Sequence, residues 1–329
     1  MPSDTDVSTA TGQPAPRNAE ADRICVVMNP GSGKQGDPGL DDRVRNFVAR
    51  HPDRLVLWEL DPGTGPQRLA ERAVEEGFGI VVAAGGDGTI AGVAEGLHGH
   101  DVRMGVLPMG TFNYFARGLD IPLDIDLALD LLLHGRAAPV TVAEVNGKLF
   151  LNNASLGVYP AILAKRETVY KRWGRSRLAA YWSVILTLAG FRRARTVAVT
   201  IDGVTRRRRS PLIFVAHSAY QLEEFGLDGA DLIRRGRFAV FLAPDVGRWG
   251  LLKFAVLLLG RSMARHRDFE LLNGVEIDIE AGGRRLVARD GERERMASPI
   301  RIRRRAEALH VILPASRPQT RNPTQPEAA

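Results

Sequence analysis

The stretch Ile80-Val81-Val82-Ala83-Ala84-Gly85-Gly86-Asp87-Gly88-Thr89, continued by Ile90-Ala91-Gly92-Val93-Ala94-Glu95-Gly96-Leu97, decides the fold. Its uninterrupted apolar opening reads as a buried parallel strand, and the run from Ile90 onward as a helix. Glycines that end a strand and open a helix leave backbone N–H groups free at the positive end of the helix dipole. Such a turn suits phosphate. Asp87 in the same turn would repel a bare phosphate, so the loop asks for a bridging cation, most simply the Mg²⁺ of a nucleotide.

Outward from this turn the pattern alternates. Upstream, Ile24–Met28 reads as a strand, 40–50 as a helix, 55–60 as a strand and 67–76 as a helix; downstream, 104–108 is a further strand. Strand–helix alternation predicts a parallel sheet covered on both faces, with ligands bound beyond the carboxyl ends of its strands. Two more glycine loops fall at that edge. The first is Asn29-Pro30-Gly31-Ser32-Gly33-Lys34-Gln35-Gly36. Its Gly-x-Gly-x-x-Gly spacing suggests a dinucleotide fingerprint, but Pro30 and Asp37-Pro38-Gly39 postpone the helix to about Leu40, away from the glycines. Met28 and Gln35 stand where a Walker A loop needs Gly and Ser or Thr. What remains is an anion loop with one lysine, Lys34, suited to outer phosphates. The other loop, Gly110-Thr111-Phe112-Asn113, delivers two short polar side chains to the ligand edge.

Asn-Pro-x-Ser-Gly at 29–33, Gly-Gly-Asp-Gly-Thr at 85–89 and Gly-Thr-x-Asn at 110–113, in this order, resemble the diacylglycerol kinase catalytic family. That family includes bacterial lipid kinases and sphingosine kinases, and its nucleotide domain is similar to those of NAD kinases and phosphofructokinases. The resemblance runs from about Arg23 to Pro314. It implies ATP and Mg²⁺ as cofactors, with Asn29, Gly31, Ser32, Gly33, Lys34, Gly85, Gly86, Asp87, Gly88, Thr89, Gly110, Thr111 and Asn113 around the nucleotide and Asp87 acting through its Mg²⁺. It also assigns the general base to Asp290 of Asp290-Gly291-Glu292, with Glu292 as a supporting carboxylate. Read alone, Asp-Gly is a hairpin turn. The chain departs from the family where Asn and Glu are common after Thr-x, here Ala91 and Gly92, and where Asp is common after Gly-Thr-x-Asn, here Tyr114. The place matching a structural Mg²⁺ turn of bacterial members holds Arg234-Arg235-Gly236-Arg237, so that metal is not expected.

Leucines at helical spacing in 125–133 close the first domain near Gly135. Beyond Pro139 short alternating runs predict strands at 140–145, 149–154, 196–201, 212–216, 238–243, 275–279, 285–288, 300–303 and 309–313, with Asp202-Gly203 as a hairpin turn. The expected organisation is therefore an α/β nucleotide-binding domain over 22–136 and a mainly antiparallel β, lipid-substrate domain over 137–314. Tails at 1–21 and 315–329, rich in small and polar residues, read as disordered. Arg206 to Arg209 reads as a solvated edge strand protected by charge.

Two apolar stretches, 178–191 and 249–263, carry basic ends and suit docking on an anionic bilayer, or packing on the sheet as core. The longer uncharged run, as a helix of roughly 21 Å, falls short of the ~30 Å hydrocarbon core. The 329 residues are 44% hydrophobic and 25% charged with a formal charge of +7, which suits an anionic substrate or surface. With 6% aromatic residues and no basic stretch interleaved with them, nucleic acid is not expected. The single cysteine, Cys25, sits in a strand and reads as a buried thiol. The combined expectation is an ATP- and Mg²⁺-dependent lipid kinase, cytoplasmic and peripheral at the inner face of a membrane, which transfers the γ-phosphoryl group to a lipid hydroxyl such as that of diacylglycerol. The alternatives are an NAD kinase-like enzyme acting on a soluble acceptor and an inactive lipid- or nucleotide-binding regulator.

Overall fold

A computed structural model describes residues 23–32, 39–61, 63–158, 160, 194–246 and 269–315. Gly33, Lys34, the apolar stretches 178–191 and 249–263, the tail 1–21 and residues 316–329 of the other tail lie outside the described residues. The first half runs β1 (Ile24–Met28), α1 (Leu40–Ala49), β2 (Leu55–Glu59), α2 (Pro66–Glu75), β3 (Ile80–Gly85), α3 (Asp87–Leu97), β4 (Arg103–Pro108), α4 (Tyr114–Gly118) and α5 (Ile125–His134). Strands β2, β1, β3 and β4 lie side by side and parallel, in that order.

The strands are continuous apolar runs because helices cover both faces. Val44 and Phe47 of α1 pack with Ile125, Leu129 and Leu132 of α5 on one face. Leu69 and Ala73 of α2 pack with Ile90, Val93 and Leu97 of α3 on the other. Each such large side chain, fully buried, contributes about 1.5–3 kcal/mol. Helices α2 and α3 touch closely: a Cβ on Gly92 would fall 2.5 Å from Pro66 Cγ, and one on Gly96 2.6 Å from the Gln67 carbonyl. Cys25 is fully buried in β1, and burial pushes its thiol up to about 12, so it is an inert core residue.

The second half is antiparallel. It comprises β5 (Arg136–Val145), β6 (Lys148–Phe150), β7 (Asn153–Gly157), β8 (Arg195–Ile201), β9 (Val204–Ser210), β10 (Leu212–Ala216), α6 (Ala219–Glu224), α7 (Ala230–Arg234), β11 (Phe238–Leu242), β12 (Glu270–Gly274), β13 (Glu276–Glu280), β14 (Arg284–Arg289), β15 (Glu292–Ala297) and β16 (Ile300–Leu313). One sheet has the order β12-β11-β10-β7-β14-β15. It packs on β5, β8, β13 and β16 around Phe150, Val199, Val215, Phe238, Ile277 and Ile302. Strand β16 also pairs in parallel with β4, through His310 to Arg103 and Val311 to Met104, so the parallel sheet continues into the second half.

The fold class read from sequence is the one observed, with three local differences. The run 149–154 is two strands, β6 and β7, broken at Leu151 and Asn152. The runs 300–303 and 309–313 are one strand with an irregularity between Arg305 and Leu309. Strands β12 and β15 are additional; β15 reads Glu-Arg-Glu-Arg-Met-Ala, too polar to alternate clearly. Strand β9 is an exposed edge, with Arg208 paired to Glu270 at 2.8 Å. At the arginine-rich turn after α7, Arg234 pairs with Glu223 and Asp231, and Arg237 with Asp202. Among the described residues no helix is long and apolar enough to cross a membrane.

Candidate active site

The three glycine loops meet at the carboxyl edge of the parallel strands. Asn29 follows β1; its N–H donates to the Ala84 carbonyl at 2.9 Å and its Nδ2 donates to Thr89 Oγ1 at 3.2 Å. Gly31 lies at φ +76° and its N–H is held by Asp41 Oδ2 at 2.8 Å, with Ser32 turning back onto Asn29. The first and second loops are thereby stitched together. The second and third are packed backbone to backbone: a Cβ on Gly110 would lie 2.5 Å from Gly86 Cα, and one on Gly85 2.5 Å from Thr89 Oγ1. Gly88 differs, because a Cβ there would meet nothing within 4 Å among the described residues. Packing does not require glycine at 88. It leaves the open end of α3 accessible, where the N-cap, Gly86, offers no side chain.

Asn113 sits at φ +52°, a left-handed conformation that Asn tolerates. Its side chain is consumed within the loop, accepting from Gly110 N–H and donating to the Gly110 carbonyl, both at 2.9 Å. Thr111 is exposed. Asp87 reaches across to this loop: Oδ2 accepts from Asn113 N–H at 2.9 Å and Oδ1 from Phe115 N–H at 3.4 Å, so it caps α4. Burial raises the Asp87 carboxyl, and these backbone donors offset part of the rise.

From the second half, Asp290 occupies the turn between β14 and β15 at φ +46°, followed by Gly291 at φ +91°. Both positions need the left-handed region, which Asp-Gly supplies. The break between β6 and β7 is what holds Asp290. With the ladder interrupted, Leu151 N–H donates to Asp290 Oδ2 at 2.6 Å, and Asn152 and Asn153 N–H donate to Oδ1 at 2.8 and 3.1 Å. Asp290 N–H returns to the Asn153 carbonyl at 3.0 Å. Protein crowds this carboxyl and desolvation pushes it up to about 6 against those three donors, with the charge of Asp87 adding to the rise. The carboxylates of the two halves therefore sense each other. Glu292 opens β15, exposed and opposite Arg289 in the register.

Sequence reasoning missed four neighbours. His217 donates from Nδ1 to the Leu151 carbonyl at 3.0 Å, and burial lowers its imidazole to about 4. Tyr220 on α6 accepts from Arg117 Nη1 at 3.2 Å, while Tyr114 stacks on Phe112 at 5.4 Å and meets Phe225 edge-on at 5.9 Å. Phe112 and Phe225 remain 59% and 44% exposed, an aromatic rim that joins the third loop to the second half. The other two, Glu95 and Arg289, form an ion pair at 3.0 Å. These partners are too distant in sequence for a local signal.

Among the described residues no cluster of three or more His, Cys, Asp or Glu side chains could itself hold a metal ion. A nucleotide-borne Mg²⁺ needs only one or two carboxylates besides phosphates. Asp87, raised by desolvation, is the carboxylate that a nucleotide-borne divalent cation would relieve.

These features define a class: an α/β protein with three glycine loops at the carboxyl edge of a parallel sheet, faced by a desolvated carboxylate from an antiparallel half. Residues 23–145 match the family model of the diacylglycerol kinase catalytic domain. A diacylglycerol kinase of Staphylococcus aureus (strain JH9) is 43% identical over 147 residues, 41% of this chain and 44% of that protein. Another, from Staphylococcus aureus (strain bovine RF122), is 35% identical over 147 residues with the same coverage. The chain thus spans less than half the length of these curated relatives, 44% of each. A crystal structure of a diacylglycerol kinase from Bacillus anthracis str. Sterne shares the fold, with a TM-score of 0.60 over 89% of this chain and 97% of that one at 18% identity.

Proposed function

We propose that the chain is a lipid kinase that transfers the γ-phosphoryl group of ATP to the hydroxyl of a diacylglycerol-like acceptor. The observation that carries this reading is Asp290, a carboxylate lifted to about 6 and held by three backbone donors across from the glycine loops. A base with a pKa near the operating pH is both mostly ionised and a better proton acceptor than an ordinary carboxylate.

The nucleotide phosphates would lie at the open end of α3, against the backbone of Gly85, Gly86 and Gly88 and beside Thr89, Gly110 and Thr111. Asn29, Gly31 and Ser32 close the opposite side, with Gly33 and Lys34 as the proposed contacts outside the described residues. Asp87 would hold nucleotide-bound Mg²⁺, which offsets charge on the phosphates. Asp290 Oδ1 accepts two N–H donors and Oδ2 one, so Oδ2 has the lone pair left for the acceptor proton. As that proton moves to Oδ2, the lipid oxygen bonds to the γ-phosphorus and the bond to the β,γ-bridging oxygen breaks, releasing ADP. Glu292 is proposed as the supporting carboxylate. The exposed rings of Phe112 and Phe225 beside the site favour an apolar acceptor met at an anionic membrane surface over a soluble one.

The test is incubation with γ-labelled ATP, Mg²⁺ and anionic phospholipid vesicles containing diacylglycerol, beside Asp290→Asn. Label should enter the organic phase and fall by about 10²–10⁴-fold in the variant. Label in a water-soluble product would replace this reading with a soluble-acceptor kinase. ATP binding without any product would point to a regulator.

A further inference from the structure

Helix α3 begins at Asp87 and carries Glu95 about two turns further on, on the same rigid body. Glu95 crosses into the second half. Its Oε2 accepts from Arg289 Nη1 at 3.0 Å and from Leu149 N–H at 2.9 Å, and the same Nη1 donates to the Leu149 carbonyl at 2.8 Å. Lys148 Nζ approaches Oε1 at 4.0 Å. Arg289 immediately precedes Asp290, and Leu149 lies two residues before Leu151, which holds Asp290 Oδ2. One carboxylate on α3 therefore grips both strands that build the Asp290 cradle.

The pair is a poor device for stability. Its side chains are only 10% and 17% exposed, and Arg289 Nε is buried without a hydrogen-bond partner among the described residues. Ion pairs withdrawn from water gain little over well-packed apolar residues; what they can supply is one defined geometry. We propose that Glu95 and Arg289 are positioning residues, which fix the Asp290 turn relative to the start of α3 so that base and phosphate loop stay in register. This rests on the reading of Asp290 as the base. The geometry makes α3 a ruler, with the phosphate end at Asp87 and the mark for the base at Glu95.

The experiment compares the parent with Glu95→Gln, Arg289→Met and Arg289→Lys, by steady-state kinetics on diacylglycerol vesicles and by amide hydrogen exchange of the ligand-free protein. Loss of the pair should lower kcat by about 10–100-fold with KM for ATP within about twofold, as expected when reacting groups are misplaced without loss of nucleotide binding. Arg289→Lys keeps a donor and the charge, and should recover most of kcat. Exchange at Leu151, Asn152 and Asn153 should rise about tenfold in Glu95→Gln and Arg289→Met while β1 and β3 stay unchanged. Unchanged kcat with the pair removed, a parallel rise in KM for ATP, or exchange rising uniformly across the protein would overturn the proposal. If the parent phosphorylates no lipid, the proposed function fails on its own, and the exchange measurement still decides whether the pair holds the cradle.

Discussion

Asp290 and His217 are bound to opposite polar groups of one residue: Asp290 Oδ2 accepts the Leu151 N–H at 2.6 Å, and His217 Nδ1 meets the Leu151 carbonyl at 3.0 Å. A carbonyl only accepts, so Nδ1 carries the imidazole proton. Burial acts oppositely on the two side chains, raising Asp290 to about 6 and lowering His217 to about 4. The Asp290 contribution to stability is fully present below its unfolded value near 3.8 and is lost as pH rises through 6. The His217 contribution is present above 6.5 and is lost as pH falls toward 4. Each is worth about 3 kcal/mol over its window, and between pH 4 and 6 they oppose. Relative to the parent, His217→Gln should gain a stability that falls with rising pH across this range, and Asp290→Asn one that rises. Urea unfolding at pH 4, 5, 6 and 7 reads the slopes; parallel curves for all three proteins would refute the assignment.

Catalysis gives the same carboxyl a second signature. If Asp290 must be ionised to accept the hydroxyl proton, kcat/KM should rise with pH along an acid limb near 6, not near 4 where an ordinary carboxylate titrates. A pH–rate profile at subsaturating diacylglycerol measures the limb.

The glycines make a contrasting pair. Gly110→Ala would force a Cβ to 2.5 Å from Gly86 Cα, parting the second and third loops, and should cost about 1–3 kcal/mol of stability as well as ATP affinity. Gly88→Ala meets nothing among the described residues and replaces glycine inside a helix, so the fold should keep or gain up to about 1 kcal/mol while ATP binding weakens. Thermal unfolding and calorimetric titration with ATP separate the two. Unaltered ATP affinity in Gly88→Ala would place the phosphates elsewhere.

Gly92 tests a departure from the pattern that the sequence motifs resemble. The glutamate that the resemblance implies there would begin with a Cβ 2.5 Å from Pro66 Cγ. Gly92→Glu should therefore destabilise by about 1–3 kcal/mol and not raise activity. A thermal midpoint equal to the parent's would show that α2 yields easily.

The first half was legible because doubly covered strands are unbroken apolar runs and their loops are written in glycine. The second half was legible as alternating runs, yet its decisive detail was not. In Leu149-Phe150-Leu151-Asn152-Asn153-Ala154 only the asparagine pair marks an interruption; that the freed Leu151 N–H is taken by a carboxylate 139 residues away has no local sign. Asp290 was found by resemblance, since Asp-Gly alone reads as a turn. Glu95 and Arg289, 194 residues apart, left no mark in the sequence. Strand β16 was read as two because charged residues fill its middle, where the exposed backbone shifts register.

That strand also sets an order of birth. A nascent chain that has extruded residues 23–145 possesses β1 to β4, but the neighbour that closes the outer edge of β4 is 300–313. Until the ribosome delivers those residues, the first half waits with an open flank, so its sheet is completed by nearly the last described residues to emerge.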